Sequence, residues 1–168
     1  MESTPHPAGL TADQLADSCD IKRTRRGGPG GQHRNKVDSA IVVTHRDTGV
    51  TAQASERRSQ HENREVALNR LRVNLAIEVR MPRNAGPSKL WQSRCSSGRI
   101  GVSTKHDDFP SILAEALDQI FAHELQIAAA AETLGCSTSQ LIKLTKQEPA
   151  AFTMLNDARK SNDMSLLR

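Results

Sequence analysis

Apolar and polar positions alternate with a period of two in residues 39–55, SAIVVTHRDTGVTAQAS. Ile41 and Val43 alternate with their neighbours, and a second alternating run begins at Val50. Between the runs, the tripeptide at 47–49, Asp-Thr-Gly, has the composition of a tight turn. This pattern predicts a β-hairpin.

From Ser59 onward the period changes to that of a helix. Ser59 and Glu62, three residues later, form a capping-box signature. The apolar side chains that follow recur at helical spacing: Leu68, Leu71, Leu75 and Val79. Arg72 and other polar side chains are left mostly off this stripe. The pattern predicts a helix that ends near Pro82 and packs its aliphatic stripe on the hairpin.

The residues before the hairpin predict three short elements. Thr11 can cap a helix over residues 12–18, and residues 20–25 have an extended pattern. A glycine-rich loop then runs to about Lys36.

The second half of the chain is predicted to be mainly helical. Residues 81–108 are a predicted linker with one short strand at about 100–103. Asp108 or Phe109 can cap the next helix, which runs to about Leu125. Two helices joined by a glycine turn are predicted for residues 126–147, QIAAAAETLGCSTSQLIKLTKQ, the pattern of a helix-turn-helix. A final helix is expected to begin at Pro149 and to continue to about Lys160.

These elements predict an α+β protein with two modules. Residues 10–80 are expected to form a small domain in which an antiparallel β-sheet packs on a long helix. Residues 109–168 are expected to form an all-α, helix-turn-helix-like module. Hydrophobic residues are 36% of the chain and aromatic residues 2%, so the core must be largely aliphatic.

Basic charge is concentrated in one segment. Residues 1–21 have four acidic and no lysine or arginine side chains. Residues 22–105 have 18 basic and 6 acidic side chains, a net charge of +12, and residues 106–168 have 5 and 9. Such a segment indicates a polyanionic partner, most commonly a phosphodiester backbone. A solubilising surface is the alternative.

The cysteines and the N-terminal residues indicate the cellular compartment of the protein. Cys19, Cys95 and Cys136 are far apart and form no CxxC pair, which predicts neither a zinc site nor a disulfide framework. The first residues have no basic and apolar signal pattern, and no run approaches the ~18 apolar residues that span a bilayer. We therefore predict a cytoplasmic protein with no membrane partner.

The glycine-rich loop, RRGGPGGQHRNK at residues 25–36, does not match the familiar phosphate-binding loops. It has neither a GxxxxGK[ST] continuation nor a GxGxxG spacing before a helix. Its glycines permit positive φ and close backbone approach, whereas Pro29 restricts one φ between them. The loop is suited to placing backbone amides in crowded surroundings.

The tripeptide Gly30-Gly31-Gln32 within GGPGGQHRNKVDSAI is followed, after the hairpin, by RRSQHENREVAL at residues 57–68. These two segments, in this order, resemble the catalytic domain of class I peptide chain release factors and their stand-alone ribosome-rescue relatives. The resemblance covers about residues 10–80. It implies a disordered GGQ loop that enters the peptidyl transferase centre of the large ribosomal subunit. There it would promote hydrolysis of the ester that joins the nascent peptide to P-site tRNA.

The resemblance makes Gly30, Gly31 and Gln32 the candidate catalytic residues. Hydrolysis of an ester develops negative charge on the carbonyl oxygen, and the backbone N–H of Gln32 can donate to it. Gly30 and Gly31 let the main chain reach that position. The Gln32 side chain is expected to position water, because an amide cannot accept a proton near pH 7. The resemblance also implies methylation of Gln32 by a glutamine methyltransferase, and no metal or organic cofactor.

Contacts with ribosomal RNA are further implied for polar and basic side chains near the loop and the start of the long helix: Arg25, Arg26, His33, Arg34, Lys36, Arg57, Arg58, Gln60, Asn63 and Arg64. Charge supports phosphate contacts for the arginines and Lys36, although each could equally be a solvated surface charge. Arg34 departs from the family, which commonly has a small apolar residue at this position.

The residues outside the resemblance do not predict a codon-reading domain. We therefore expect a monomeric peptidyl-tRNA hydrolase that releases nascent peptides from stalled ribosomes or split large subunits without a stop codon. The acidic C-terminal part differs from the basic tail of one common rescue design. Two alternatives stay open, a non-catalytic ribosome- or RNA-binding protein and a DNA-binding regulator that uses the helix-turn-helix.

Two further features each have two interpretations. Trp91 could stack on a base or cover a hydrophobic edge. The run His106-Asp107-Asp108 could bind a metal or, beside Pro110, cap a helix.

Overall fold

The computed structural model describes residues 5–24, 39–81 and 86–168 of the chain. It divides into two compact units, Met1–Glu78 and Val79–Arg168. Each unit buries its own set of apolar side chains.

The first unit combines a small sheet with one long helix. Its elements are a 3₁₀ helix (Pro7–Gly9), α1 (Ala12–Asp17), β1 (Cys19–Thr24), β2 (Ala40–His45), β3 (Thr51–Ala54) and α2 (Gln60–Glu78). The strands form an antiparallel sheet in the order β1-β2-β3, and α2 packs on β2 and β3. The predicted α+β class, the hairpin and the long helix are therefore confirmed.

The hairpin forms because its alternating residues give the sheet one apolar face. Ile41 pairs with Ala54 and Val43 with Ala52 across the two strands, and all four are buried. Gly49 has a φ of +73°, a conformation in which a side chain is strained, and its N–H donates to His45 O at 2.8 Å. The turn that the sequence predicts is thus closed by this glycine.

Helix α2 is buried more widely than its leucine stripe predicts. Leu68, Leu71 and Leu75 are buried as expected, but Arg72 is also only 2% exposed. The 3₁₀ helix packs on α2, and Arg72 Nε donates to Ala8 O at 3.3 Å. The prediction that placed Arg72 mostly off the core was wrong, because a segment 64 residues away in sequence covers a second flank of the helix.

The second unit contains a short helix, a small hairpin and four further helices. Its elements are α3 (Lys89–Arg94), β4 (Cys95–Ser96), β5 (Arg99–Ile100), α4 (Phe109–Ala122), α5 (Ile127–Leu134), α6 (Thr138–Lys146) and α7 (Pro149–Ser161). The predicted linker at 81–108 differs from this structure, since residues 89–100 form α3 and an antiparallel β4–β5 pair. Helices and strands this short leave little periodicity to detect.

Local signals place the ends of the later helices where they were expected. Gly135 ends α5 with a φ of +66°, and the Ser137 hydroxyl accepts from Gln140 N at 3.3 Å at the start of α6. Helix α4 ends before the predicted Leu125, because Glu124 and Leu125 have φ of +52° and +64°. Arg159 Nη1 donates to Leu125 O at 2.6 Å and so stabilises this turn.

Two buried carboxylates of α4 hold the segment that precedes α3. Glu115 accepts from the Ser88 N–H at 2.7 Å and from the Ser88 hydroxyl at 2.5 Å. Asp118 accepts from Met81 N at 3.0 Å and lies 3.3 Å from Arg80 Nη1. Burial lowers the pKa of Arg80, and the adjacent Asp118 carboxylate opposes that shift. The chain entering the second unit is therefore tied to α4 by charge-assisted hydrogen bonds.

The structure resolves both of the ambiguous features near α3. Trp91 is 1% exposed and its Nε1 donates to Leu134 O at 2.8 Å, so it anchors α3 to the end of α5 and is not available to stack on a base. The Asp108 carboxylate makes no capping bond to α4. Asp108 occupies the N-cap position of α4 as expected, but its carboxylate pairs with Arg94, at 2.6 Å from Nη2, and not with the helix backbone.

Residues 5–24, 39–81 and 86–168 contain no group of three or more metal-ligating side chains and no helix that is long and apolar enough to cross a membrane.

The burial of Trp91 can be tested through its fluorescence, because it is the chain's single tryptophan. We expect iodide to quench its emission weakly in the folded protein and much more strongly in urea. Quenching in the folded protein as strong as that of N-acetyltryptophanamide would contradict the buried position.

Candidate functional site

The candidate catalytic residues belong to the segment that joins β1 to β2. Gly30, Gly31 and Gln32 lie outside the described residues, as do five predicted RNA contacts: Arg25, Arg26, His33, Arg34 and Lys36. Their roles stay predictions. The structure does describe the two points at which this segment leaves and rejoins the sheet.

These two points are neighbours across one antiparallel pair of strands. Strand β1 pairs with β2 from Cys19 opposite His45 to Thr24 opposite Ala40. Thr24 is the last described residue before the segment and Ser39, which is buried, is the first after it. The sheet therefore brings the entry and exit of the glycine-rich segment together at the same end of the β1–β2 pair.

Asn63 in the first turns of α2 binds the exit of the segment directly. Its side chain is fully buried, and Nδ2 donates to Ser39 O at 2.6 Å and to Arg57 O at 3.1 Å. Its Oδ1 accepts from Arg57 N at 3.0 Å. One amide thus joins the end of the segment, the chain after β3 and α2. The structure gives Asn63 this internal role in place of the predicted RNA contact, because its polar atoms bind backbone inside the unit.

A concave notch of about 510 Å³ lies beside this anchor. Ile21 and Ile41 of the sheet line it together with four polar or basic side chains: Arg23, Gln60, His61 and Arg64. Gln60 and Arg64 were predicted as RNA contacts, whereas Arg23 and His61 were not. The strand period could have found Arg23, because it lies two residues after Ile21 on the same face of β1.

The arginines at this end of the unit differ in whether they have partners. Arg70 pairs with Glu56 at 2.5 Å and donates to Gln53 O at 2.8 Å. Hydrogen bonding from the Ser55 and Glu56 backbone N–H groups, and then from Arg70, holds the Glu56 pKa below its usual value. Among the described residues of the first unit, the exposed arginines without an ion-pair partner are Arg23, Arg57, Arg58 and Arg64.

This arrangement is suited to binding phosphates. Unpaired guanidinium groups are strong bidentate partners for phosphate oxygens. His61 at the same notch lies 3.3 Å from Glu65, and both side chains are mostly exposed. The unit therefore presents a glycine-rich segment from a sheet end whose surroundings are predominantly basic.

Comparison with known proteins identifies the class to which this domain belongs. The family model described as the RF-1 domain matches residues 14–108, more than half of the chain. The chain therefore belongs to the RF-1 domain family, which confirms the resemblance to class I release factors.

Individual relatives give the same result. The chain is 35% identical over 123 residues to peptide chain release factor 1 of Verminephrobacter eiseniae, covering 73% of this chain and 34% of the relative. It is 45% identical over 74 residues to peptide chain release factor 2 of Variovorax paradoxus, covering 44% and 20%. The chain thus spans about a third or less of the length of these relatives. No solved structure matches it.

The anchoring role of Asn63 predicts a loss of stability on its removal. Asn63→Ala leaves Ser39 O and both backbone groups of Arg57 without these partners. Because buried polar groups without partners are costly, we expect the free energy of unfolding to fall by about 1–3 kcal/mol. Urea denaturation followed by circular dichroism measures the change.

Asn74→Ala is the matched control in the same helix. Asn74 makes one hydrogen bond, to Thr51 O at 2.8 Å, in a more exposed position. Its removal should cost less than that of Asn63, and equal losses in the two variants would contradict the anchoring role.

Proposed function

We propose that this protein hydrolyses the ester of peptidyl-tRNA within the ribosome and releases the nascent peptide without reading a stop codon. The observation that carries the proposal is the RF-1 family match, which includes the GGQ tripeptide. The relatives that match are themselves named peptide chain release factors 1 and 2. The proposed partners are the large ribosomal subunit, its RNA and P-site peptidyl-tRNA, and the proposed location is the cytoplasm.

In the proposed reaction, water attacks the ester carbonyl, and the bond to the 3′ oxygen of tRNA breaks. That oxygen leaves with a proton, and the peptide leaves with a free carboxyl group. The Gln32 backbone N–H donates to the oxyanion that forms between these events. A preorganised donor of this kind contributes roughly 3–4 kcal/mol to transition-state stabilisation. The Gln32 side chain positions the water, and its methylation by a glutamine methyltransferase belongs to the same proposal.

The described geometry supports this mechanism at the base of the loop. Donation to a transition state is effective only if the donor is already positioned when charge develops. The β1–β2 pairing and the Asn63 bonds to Ser39 and Arg57 restrain both ends of the segment that contains Gln32. Thr24 and Ser39, the described residues on either side of the segment, therefore have little backbone freedom left to lose on binding.

The unpaired arginines support a ribosomal RNA partner. Arg23 and Arg64 at the notch, and Arg57 and Arg58 beside it, have no ion-pair partner within the described part of the chain. Contacts to phosphates release condensed counterions and make binding sensitive to salt. We assign these four residues to phosphates of ribosomal RNA.

Codon independence is the finer part of the proposal. Beyond the family match, residues 109–168 form helices α4 to α7. We assign these helices to docking and not to codon reading, so release is proposed from stalled ribosomes or from split large subunits. A monomer is proposed as the active form.

Peptide release from ribosomes with P-site peptidyl-tRNA tests the catalytic assignment, with and without mRNA in the A site and on isolated large subunits. We expect release without a stop codon. Gly31→Ala should lower the rate by about 100-fold or more, because a misplaced main chain loses the oxyanion donor. Gln32→Ala should have a smaller effect, because its backbone N–H is retained.

Gly86→Ala is the matched control, since a Cβ at Gly86 would meet no atom within 4 Å. It should release peptide at the parent rate. If Gly31→Ala is as fast as Gly86→Ala, the catalytic assignment is wrong. If release occurs only with a stop codon in the A site, codon independence is wrong.

The notch predicts a separate effect on binding. Arg64→Gln should weaken association with the ribosome and reduce the slope of log affinity against log salt by about 1, the loss of one phosphate contact. Arg70→Gln, in the same helix, is the control because Arg70 is already paired with Glu56. Titrations at several potassium chloride concentrations measure both slopes, and equal changes would exclude a specific role for Arg64.

A further inference from the structure

A second basic concavity lies in the second unit, where it is formed by the end of α3, the β4–β5 hairpin and α6. Its volume is about 690 Å³, and its polar lining residues are Ser93, Arg94, Ser96, Arg99, Gln140 and Lys143. A depression of about 290 Å³ shares Gln140 and Lys143 with it and continues to Gln147. The two depressions therefore form one groove along α6. None of the described residues that line it is acidic.

Hydrogen bonds between the groove walls maintain its shape. Ser137 N, at the start of α6, donates to Gly98 O in the hairpin turn at 3.1 Å. Ile100 N donates to Gln140 Oε1 at 3.3 Å, and Gly101 N donates to Arg94 O at 2.7 Å. The hairpin is thus fixed to both α6 and α3, so the groove is a feature of the fold and not of side-chain positions alone.

The three basic side chains of the groove have different environments. Arg94 is held by Asp108, with Nε at 2.8 Å and Nη2 at 2.6 Å from one carboxylate oxygen. Arg99 and Lys143 are exposed, and neither has an ion-pair partner in the ranges that the structure describes. Two available cations therefore face one concavity. Lys143 does so from a part of the chain where acids otherwise predominate, with 9 acidic and 5 basic side chains in residues 106–168.

We propose that this groove binds the sugar-phosphate backbone of RNA, with Arg99 and Lys143 as its phosphate ligands. A concave polar surface with unpaired cations and no acidic lining matches a phosphodiester chain. The choice of RNA rests on the proposed ribosomal function. One wall of the groove, α6, lies beyond the residues 14–108 that the family model matches.

The same geometry disfavours the DNA-binding regulator that the helix-turn-helix pattern left open. A recognition helix must project so that its side chains enter the major groove. Here Gln140 of α6 accepts a hydrogen bond from the hairpin, and Lys143 lines the groove beside it. Helix α6 therefore forms a wall of a groove that it shares with β4 and β5.

The test removes the two cations together in the full-length chain. Arg99→Gln with Lys143→Gln is compared with Lys160→Gln and Arg168→Gln, which remove the same charges at exposed positions outside the groove lining. The probe is a fluorescein-labelled RNA duplex, with a DNA duplex of the same sequence alongside. Anisotropy titrations at several potassium chloride concentrations give the affinity and its salt dependence.

For the groove pair we expect weaker RNA binding and a slope reduced by about 1.4–1.8, the value for two lost phosphate contacts. The Lys160 and Arg168 pair should change the slope much less. Arg99→Lys with Lys143→Arg keeps both charges and should retain affinity. This control shows whether weaker binding comes from the lost charge or from a disturbed fold.

Equal changes in the two neutralised pairs, or no change in the groove pair, would overturn the proposal. Tighter binding to DNA than to RNA would overturn the assignment to RNA.

Peptide release by the same variants separates this inference from the proposed function. At saturating concentration, the groove pair should release peptide at the parent rate and should require more protein to reach half of that rate. If the parent protein releases no peptide but its RNA binding depends on Arg99 and Lys143, the proposed function fails and the groove assignment stands. If release is normal but RNA binding is independent of these residues, the groove assignment fails alone.

Discussion

The buried amide of Asn63 is the constraint on which the organisation of the first unit depends. It binds the chain at Ser39, where the glycine-rich segment rejoins the sheet, and at Arg57, between β3 and α2. Because Asn63 itself belongs to α2, these bonds set the start of that helix relative to the sheet. The positions of Gln60 and Arg64 in the notch follow from this arrangement. A single side chain therefore relates the base of the proposed catalytic loop to the basic surface beside it.

The basic residues fall into two groups. Those of the first group bond to carbonyl or carboxylate groups of the protein, and those of the second have no ion-pair partner and are available to bind phosphates. Arg46 bonds to Cys19 O and Arg72 to Ala8 O, while Arg80 and Arg94 pair with Asp118 and Asp108. Such arginines fix one chain segment to another, and carboxylate partners compensate the charge of Arg80 and Arg94. The notch and the groove instead present arginines and a lysine without ion-pair partners in the described ranges. Net charge alone indicates a polyanionic partner but does not distinguish these two groups.

The sequence predicted those features that neighbouring residues determine. The hairpin turn at Gly49, the cap at Thr11 and the helix end at Gly135 each depend on residues within a few positions, and all three are present. The features that the sequence did not predict involve partners that are distant in sequence. Asn63 bonds to a residue 24 positions away, and Trp91 to one 43 positions away. The family resemblance implied an RNA contact for Asn63, and the burial that opposes this contact arises only from the tertiary fold.

The basic RNA-binding surfaces and the backbone N–H of Gln32 have different energetic roles in the proposed reaction. Contacts between cations and RNA phosphates have nearly the same strength before and during ester hydrolysis, so they stabilise the bound state and the transition state equally. Such uniform binding improves affinity without raising the rate of the bound complex. In the proposed mechanism, the hydrogen bond from the Gln32 N–H strengthens as the oxyanion forms, so it would act on the rate itself. A loop that acts through a backbone N–H and supplies no catalytic acid or base can therefore promote hydrolysis. It does so provided that basic surfaces elsewhere in the chain bind the RNA and hold the loop in place.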